Sequence, residues 1–369
     1  MGFFKGIAAI QKKASTVILL LILIVTVFLG YHAAQIQFES DISKEMPDTG
    51  EIFTKTLYFQ ESFSGSSTVL VAYSIDNGLQ GNPLDSVTEQ EVVQSIYQLD
   101  GELRKLDKVT HVLSLGEIFK KARMVPMTQD IVDMVLSESK EYTGRLLSSD
   151  KKATIITIFT EELASKEDID EFVNLLENRI ERSNPPYGID VRVTGNPILR
   201  GDLQDYLVSD FYRTILIAIL IIFPFIFLVT KKFRKAAMVM LPLLIGLVWY
   251  AGIVELLSFK LSVSTVATGA MVLGLGVEYS IFIYNKLEKA MEKVSVEEAV
   301  EEAVGFTGRA IFGSALTTTV AFISLGLSVV PMLSHLGIIS SIGILAILFN
   351  CIFINPCIFL VIEKWTTKE

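Results

Sequence analysis

Apolar runs and charged stretches alternate along the chain, and the alternation is coarse enough to divide it. Runs near 14–34, 213–230, 236–257, 263–284, 310–330 and 335–362 have about the 20 residues a helix needs to cross a hydrocarbon layer. They predict six membrane spans. Lys5, Lys12 and Lys13 stand before the first run, which gives that end some likeness to a secretory signal. Signal cores are shorter, so the first run is read as a span that stays in the mature chain. Pro224 in the second run predicts a kink.

Between the first two runs the pattern changes. Residues 36–212 carry frequent charges and no run of span length. Alternating and β-branched stretches predict strands at 68–75, 109–113, 153–160 and 189–194. Helical spacing predicts long helices at 88–106 and 166–182; in the second, Ile169, Phe172, Val173, Leu176 and Ile180 share one face. Short helical pieces are expected near 116–122 and 128–137, within an insert (117–147) that reads as less regular and open to a mobile or ligand-facing role. Two strand–helix–strand units in series predict a ferredoxin-like α+β sandwich.

The fold class is therefore a polytopic α-helical membrane protein with a large α+β domain between spans one and two. Its parts are residues 1–35, the α+β domain 36–212, a five-helix bundle 213–362 and a tail 363–369. Between the fourth and fifth runs, the stretch around 294–307 places Val296, Ala299, Val300 and Ala303 beside four glutamates. It reads as an amphipathic surface helix capped by Ser295, with Glu298 three residues on.

Composition agrees: 51% of the 369 residues are hydrophobic. The net charge of −9 is unevenly spread. With six spans, Lys5/Lys12/Lys13, Lys231/Lys232/Arg234/Lys235, Lys286/Lys289/Lys293/Arg309 and Lys364/Lys368 fall on one side. The positive-inside rule makes that side cytoplasmic, with both termini there and the acidic α+β domain outside. Cys351 and Cys357, six residues apart on one helix, cannot pair with each other. No nucleotide-binding loop, hydrolase elbow, zinc-type cluster or basic–aromatic nucleic-acid pattern is present, so no enzyme activity, cofactor or nucleic-acid partner is expected.

One residue stands against the apolar pattern. Glu278, in GLGVEYS (274–280), lies inside the fourth run, where a charge costs about 3 kcal/mol even on lenient insertion scales. On a helix it shares a face with Ala267, Ala270, Met271, Gly274, Ile281, Phe282 and Asn285. Small residues there admit close approach by another helix. A permanently protonated, hydrogen-bonded Glu278 is the structural alternative. In the fifth run Ser314, Thr317, Ala321, Ser324 and Ser328 form a small polar stripe, with Thr318 and Thr319 beside it. It is a packing seam, a set of hydroxyls for a carboxylate, or both. Tyr279 points about 100° away from Glu278. It would meet a carboxylate of a second subunit or anchor in a groove. Burial favours a protonated carboxyl, so Glu278 would load a proton and release it when packing changes; Na⁺ held with hydroxyl help is the alternative. Glu255 and His335 read as interfacial, Asn350 as an interhelical bonding group, and Asn355–Pro356 as a local helix irregularity.

GLGVEYS resembles the Gly-x-x-x-Asp/Glu motif in the fourth span of the RND superfamily, in its MMPL, hopanoid-transporter and Patched-like branch. GRAIFGSALTTTVAFISLGLS (308–328) and PMLSHLGIISSIGI (331–344) resemble that branch's fifth and sixth spans. The resemblance covers the chain, strongly in the membrane half and weakly in 36–212. It implies proton relay at Gly274, Glu278 and Tyr279, with Glu where Asp is common. Typical members join two such halves in one chain, whereas one copy of the motif stands here, so a homodimer or higher homo-oligomer is expected. The expected function is a proton-driven transporter of hydrophobic, lipid-like substrates in the cell membrane. A SecDF-like export accessory, or a lipid-sensing membrane protein, is the alternative. SecD and SecF relatives carry Asn shortly after the acid, where Tyr279 and Ser280 stand here.

Overall fold

A computed structural model describes residues 2–47, 55, 67–76, 78–79, 81–163 and 165–366. The chain divides into two units, 48–204 and a bundle of 1–47 with 205–369.

The α+β unit is built on strands β1 (Ser67–Ile75), β2 (Val109–Leu113), β3 (Ala153–Thr160) and β4 (Ile189–Gly195). Their order is β2-β3-β1-β4 and every neighbouring pair is antiparallel. Helix α2 (Gln90–Leu103) joins β1 to β2, and α6 (Lys166–Arg182) joins β3 to β4. This is the split β-α-β arrangement that the sequence predicts. Alternate residues Val69, Val71, Tyr73 and Ile75 of β1 point into the core, as a strand's two-residue period requires. Ser165 and Asp168 close a reciprocal capping box at the start of α6.

The insert after β2 is helical near 116–122 and 128–137, as expected, and adds a helix at 140–146 where the sequence reads as less regular. Three short helices fill it: α3 (Leu115–Ala122), α4 (Gln129–Glu138) and α5 (Lys140–Leu146). Val132, Val135 and Leu146 bury their side chains in the common core. The few apolar residues of each helix are enough to dock it.

Asp100 of α2 is fully buried and bound by Arg104 Nε at 2.8 Å, Ser114 Oγ at 2.7 Å and Lys120. Burial alone would raise its carboxyl, but these hydrogen bonds outweigh it and hold the group below the usual carboxylate range. A group depressed in the folded state stabilises that state above its unfolded pKa and loses the contribution as pH falls through the folded value. The unit should therefore lose stability below about pH 4. Asp100→Asn should remove about 3 kcal/mol, measured by urea melts at neutral pH, and flatten that acid limb.

In the bundle, α1 (Gly2–Ala33) bends at Ala14, whose φ of −130° and ψ of 27° are not helical. The basic N-terminus, read from sequence as a short lead-in, is thus a separate helical piece. Phe4 and Ala8 pack with Val300 and Ala303, and Lys12 pairs with Glu301 at 2.7 Å. Helix α7 (Asn196–Thr230) begins well before residue 213, where the sequence places the span boundary. Gly195 ends β4 at a φ of +140° that L residues avoid, with Thr68 O 2.4 Å from any Cβ placed there. Asn196–Pro197 then opens a helix that runs on through Pro224 to Thr230, ahead of Lys231, whose φ is +54°. Arg200, Asp202, Asp205 and Asp210 made this stretch look like domain, but charge does not interrupt a helix.

The remaining helices are α8 (Phe233–Leu256), α9 (Thr268–Met291), α10 (Val296–Glu302), α11 (Arg309–Gly326) and α12 (Pro331–Thr366). A π-helical turn, Ala303–Gly308, joins α10 to α11. Ser295 Oγ accepts from Glu298 N at 3.3 Å, the predicted cap. Residues 367–369 of the predicted tail lie outside the described residues. Among the described residues five helices are long and apolar enough to cross a membrane; α9 is not one of them, because Glu278 and the polar residues around it lower its hydropathy. It is nevertheless packed into the bundle. At Gly276 a Cβ would lie 2.4 Å from Ile347 Cγ2, and at Gly246 one would lie 2.9 Å from Ile347 Cα, so α8 and α9 both close on α12. Pro356 of α12 donates no hydrogen bond to Ile352 O, and Gln11 Nε2 of α1 supplies one at 3.0 Å instead.

Candidate functional site

Helix α9 has two polar faces at one level. Glu278 is ten residues into the helix, about 15 Å from its start. Its neighbours Tyr279 and Ser280 point into the bundle. Tyr279 is nearly fully buried, close enough to the Thr318 side chain of α11 to interact with it electrostatically. Ser280 Oγ donates to Val239 O of α8 at 2.7 Å and accepts from Asn355 Nδ2 of α12 at 3.1 Å. These bonds pin the rotation of α9 about its axis. With Tyr279 and Ser280 turned inward, Glu278 is turned outward.

The Glu278 face is open. Ala267, Gly274, Glu278, Phe282 and Asn285 are all exposed on the single chain. A Cβ on Gly274 would meet nothing within 4 Å. Among the described residues Glu278 accepts no hydrogen bond and forms no ion pair. Ser314 and Thr317 are likewise exposed, on α11. Thr317 Oγ1 donates to Ser314 O at 2.8 Å, and Thr318 Oγ1 is 3.1 Å from the same carbonyl. Each hydroxyl thereby satisfies its proton on its own helix while keeping acceptor capacity free.

The six residues singled out from sequence therefore fall into separate groups. Gly274 and Glu278 share the open face of α9. Tyr279 lies within the bundle, near Thr318. Ser314 and Thr317 lie on the outward side of α11, without a hydrogen bond to Glu278. A carboxylate with no partner among the described residues, beside a glycine with nothing against it, leaves that face of α9 open to a ligand, water or another chain.

Other polar groups at the ends of the bundle are paired. Glu255 Oε2 lies 2.6 Å from His32 Nδ1 of α1. His335 Nδ1 is 3.3 Å from the buried Glu45, which also accepts from Ser264 Oγ at 3.4 Å. Asn350, expected to bond between helices, instead donates within its own helix to Ala346 O at 2.9 Å, and its Oδ1 is buried without a hydrogen bond among the described residues. Sequence reasoning missed the Gln11–Ile352 pairing. Its signal was present: a proline in a helix always frees the carbonyl four residues earlier.

The model of the MMPL family matches residues 61–369. A protein of Methanocaldococcus jannaschii described only as a membrane protein, MJ1562, is 29% identical over 98% of this chain and 94% of its own length. The siderophore exporter MmpL5 of Mycobacterium tuberculosis is 25% identical over 59% of this chain, which spans 23% of that protein. The membrane protein YdfJ of Bacillus subtilis is 28% identical over 28% of this chain and 14% of its own length.

Proposed function

The chain belongs to the MMPL family, and from that membership we propose that it is a secondary transporter of the RND type, driven by the proton gradient, that moves hydrophobic or amphiphilic, lipid-like molecules. Similarity to a siderophore exporter supports transport as the activity. The observation that carries the coupling is the unpartnered carboxylate of Glu278 on the open face of α9. A charge costs more in hydrocarbon than a neutral acid does, so exposure to lipid or to a closed helix interface favours the protonated form, and access to water favours release. A conformational change that alternates the two environments carries one proton per cycle.

The reading includes a second copy of the chain. Two copies related by a two-fold axis would close Gly274 and Glu278 of each against the other's open surface, where the hydroxyls of Ser314 and Thr317 have acceptor capacity to spare. Helix α9 crosses the membrane as a sixth span in this arrangement, the basic loops lie in the cytoplasm and the α+β unit lies outside. Polar α9 is tolerable as a span because its charge is shared by an interface rather than presented to lipid.

The transport reading is tested in liposomes holding the purified protein and a fluorescent amphiphile. An imposed pH gradient should drive movement of the amphiphile, a protonophore should stop it, and replacing Na⁺ by K⁺ should leave it unchanged. Movement that follows Na⁺ and ignores pH would replace the proton by Na⁺, and movement that follows neither would remove the coupling. The second copy is tested separately. Cys351 and Cys357 are fully buried, so a Gly274→Cys variant offers one accessible thiol per chain. A short bis-maleimide should link two chains into a dimer in membranes. Only single chains, at concentrations where the thiol is fully modified, would contradict the paired arrangement.

A further inference from the structure

At the basic end of the bundle lies a cavity of about 400 Å³ that the transport reading does not use. It sits between the start of α8, the second half of α9 and the end of α12. Lys232, Arg234 and Lys235 line one side; Met238, Met291, Phe359 and Ile362 supply apolar walls. Lys235 is neutralised by its ion pair with Glu288. Lys232 and Arg234 have no carboxylate partner among the described residues. The cavity thus carries two uncompensated positive charges at its mouth.

Tyr284 forms the back. Its ring stacks at a tilt on Phe359, centroids 5.4 Å apart, and only 5% of the residue is exposed. Its hydroxyl bonds nothing among the described residues, and Glu288 first, then Arg234, lie close enough to act on it electrostatically. With Glu288 engaged by Lys235, the phenol O–H is a donor left free for an incoming acceptor. The combination of two free cations, one free donor and apolar walls fits a phosphate ester that carries hydrocarbon. We propose that this cavity binds the headgroup of an anionic phospholipid from the adjoining leaflet. The phosphate would sit between Lys232, Arg234 and the Tyr284 hydroxyl, and an acyl chain would lie along Met238 and Phe359. Arg meets two phosphate oxygens at once, whereas Lys contributes a point charge. General attraction of the basic loops to an anionic surface needs neither the cavity nor Tyr284, so the two can be told apart.

The test uses the full chain in phosphatidylcholine nanodiscs, titrated with dihexanoyl phosphatidylglycerol and read by native mass spectrometry. One phosphatidylglycerol should be retained per chain, with no equivalent retention of dihexanoyl phosphatidylcholine. Lys232→Gln with Arg234→Gln should weaken binding about 30-fold, the product of roughly fivefold per charge near the surface. Tyr284→Phe should weaken it severalfold. Lys289→Gln, which removes the same charge from an exposed position of α9 outside the cavity, should change little. If the double variant melts earlier than wild type, Arg234→Gln alone, at an exposed position, carries the test. Equal loss in Lys289→Gln, equal retention of phosphatidylcholine, or full competition by millimolar inorganic phosphate would overturn the lipid site.

Discussion

Glu278→Gln should abolish gradient-driven transport while the protein still folds. The side chain keeps its size and polarity, and among the described residues the carboxylate makes no hydrogen bond that the amide would break. What the change removes is the exchangeable proton. A gradient of two pH units supplies about 2.7 kcal/mol per proton, which at one proton per substrate sustains an accumulation ratio of about 100. In the glutamine variant that ratio should fall to about 1, with exchange of substrate between the two sides persisting because it needs no net proton movement. Glu278→Asp, one methylene shorter, should keep part of the ratio. A glutamine variant that accumulates substrate as wild type does would place the coupling elsewhere.

Gly337→Val should instead destroy the bundle. A Cβ at Gly337 would lie 2.3 Å from Phe322 O, 2.6 Å from Gly326 N and 2.9 Å from Leu325 Cβ. Two of these are backbone atoms of α11, which no rotamer change can move. Helices α11 and α12 would have to separate along their contact, and the cost should exceed the 1–3 kcal/mol usual for overpacking. The expected result is loss of the monodisperse peak on gel filtration and a melting midpoint too low to measure in mild detergent. Gly274→Ala is the matched control. Open space surrounds that position, and alanine is the better helix former by up to about 1 kcal/mol, so the single chain should be unharmed or slightly more stable. A folded Gly337→Val variant would show that the helix contact is looser than its glycine suggests.

The periodicities that made the α+β unit legible are short-range and strong. Alternation in 153–160 and the helical spacing of Ile169, Phe172, Leu176 and Ile180 each fix an element and its inward face, and both formed as expected. Boundaries set by geometry rather than pattern were less visible. The bend at Ala14 has no proline or glycine beside it to mark it, and the early start of α7 lies among charges that resemble a soluble segment. At the candidate site, the sequence could group Gly274 with Glu278 because helical spacing determines which residues share a face. It could not say which way that face turns. A small-residue stripe looks the same whether its partner is in the same chain or another, and the answer depends on Tyr279 and Ser280 turning inward, where Ser280 bonds α8 and α12. The α11 stripe was ambiguous for the same reason, and its hydroxyls settle on their own helix.

The most direct measurement follows the proton rather than the substrate. Liposomes holding the purified chain and a pH-sensitive dye in the lumen are given an outward gradient of the amphiphile and no pH gradient. Wild-type protein should move protons into or out of the lumen as the amphiphile flows, and Glu278→Gln should move none. Proton movement in the variant equal to that in wild type would contradict the assignment of Glu278 as the group that carries the proton.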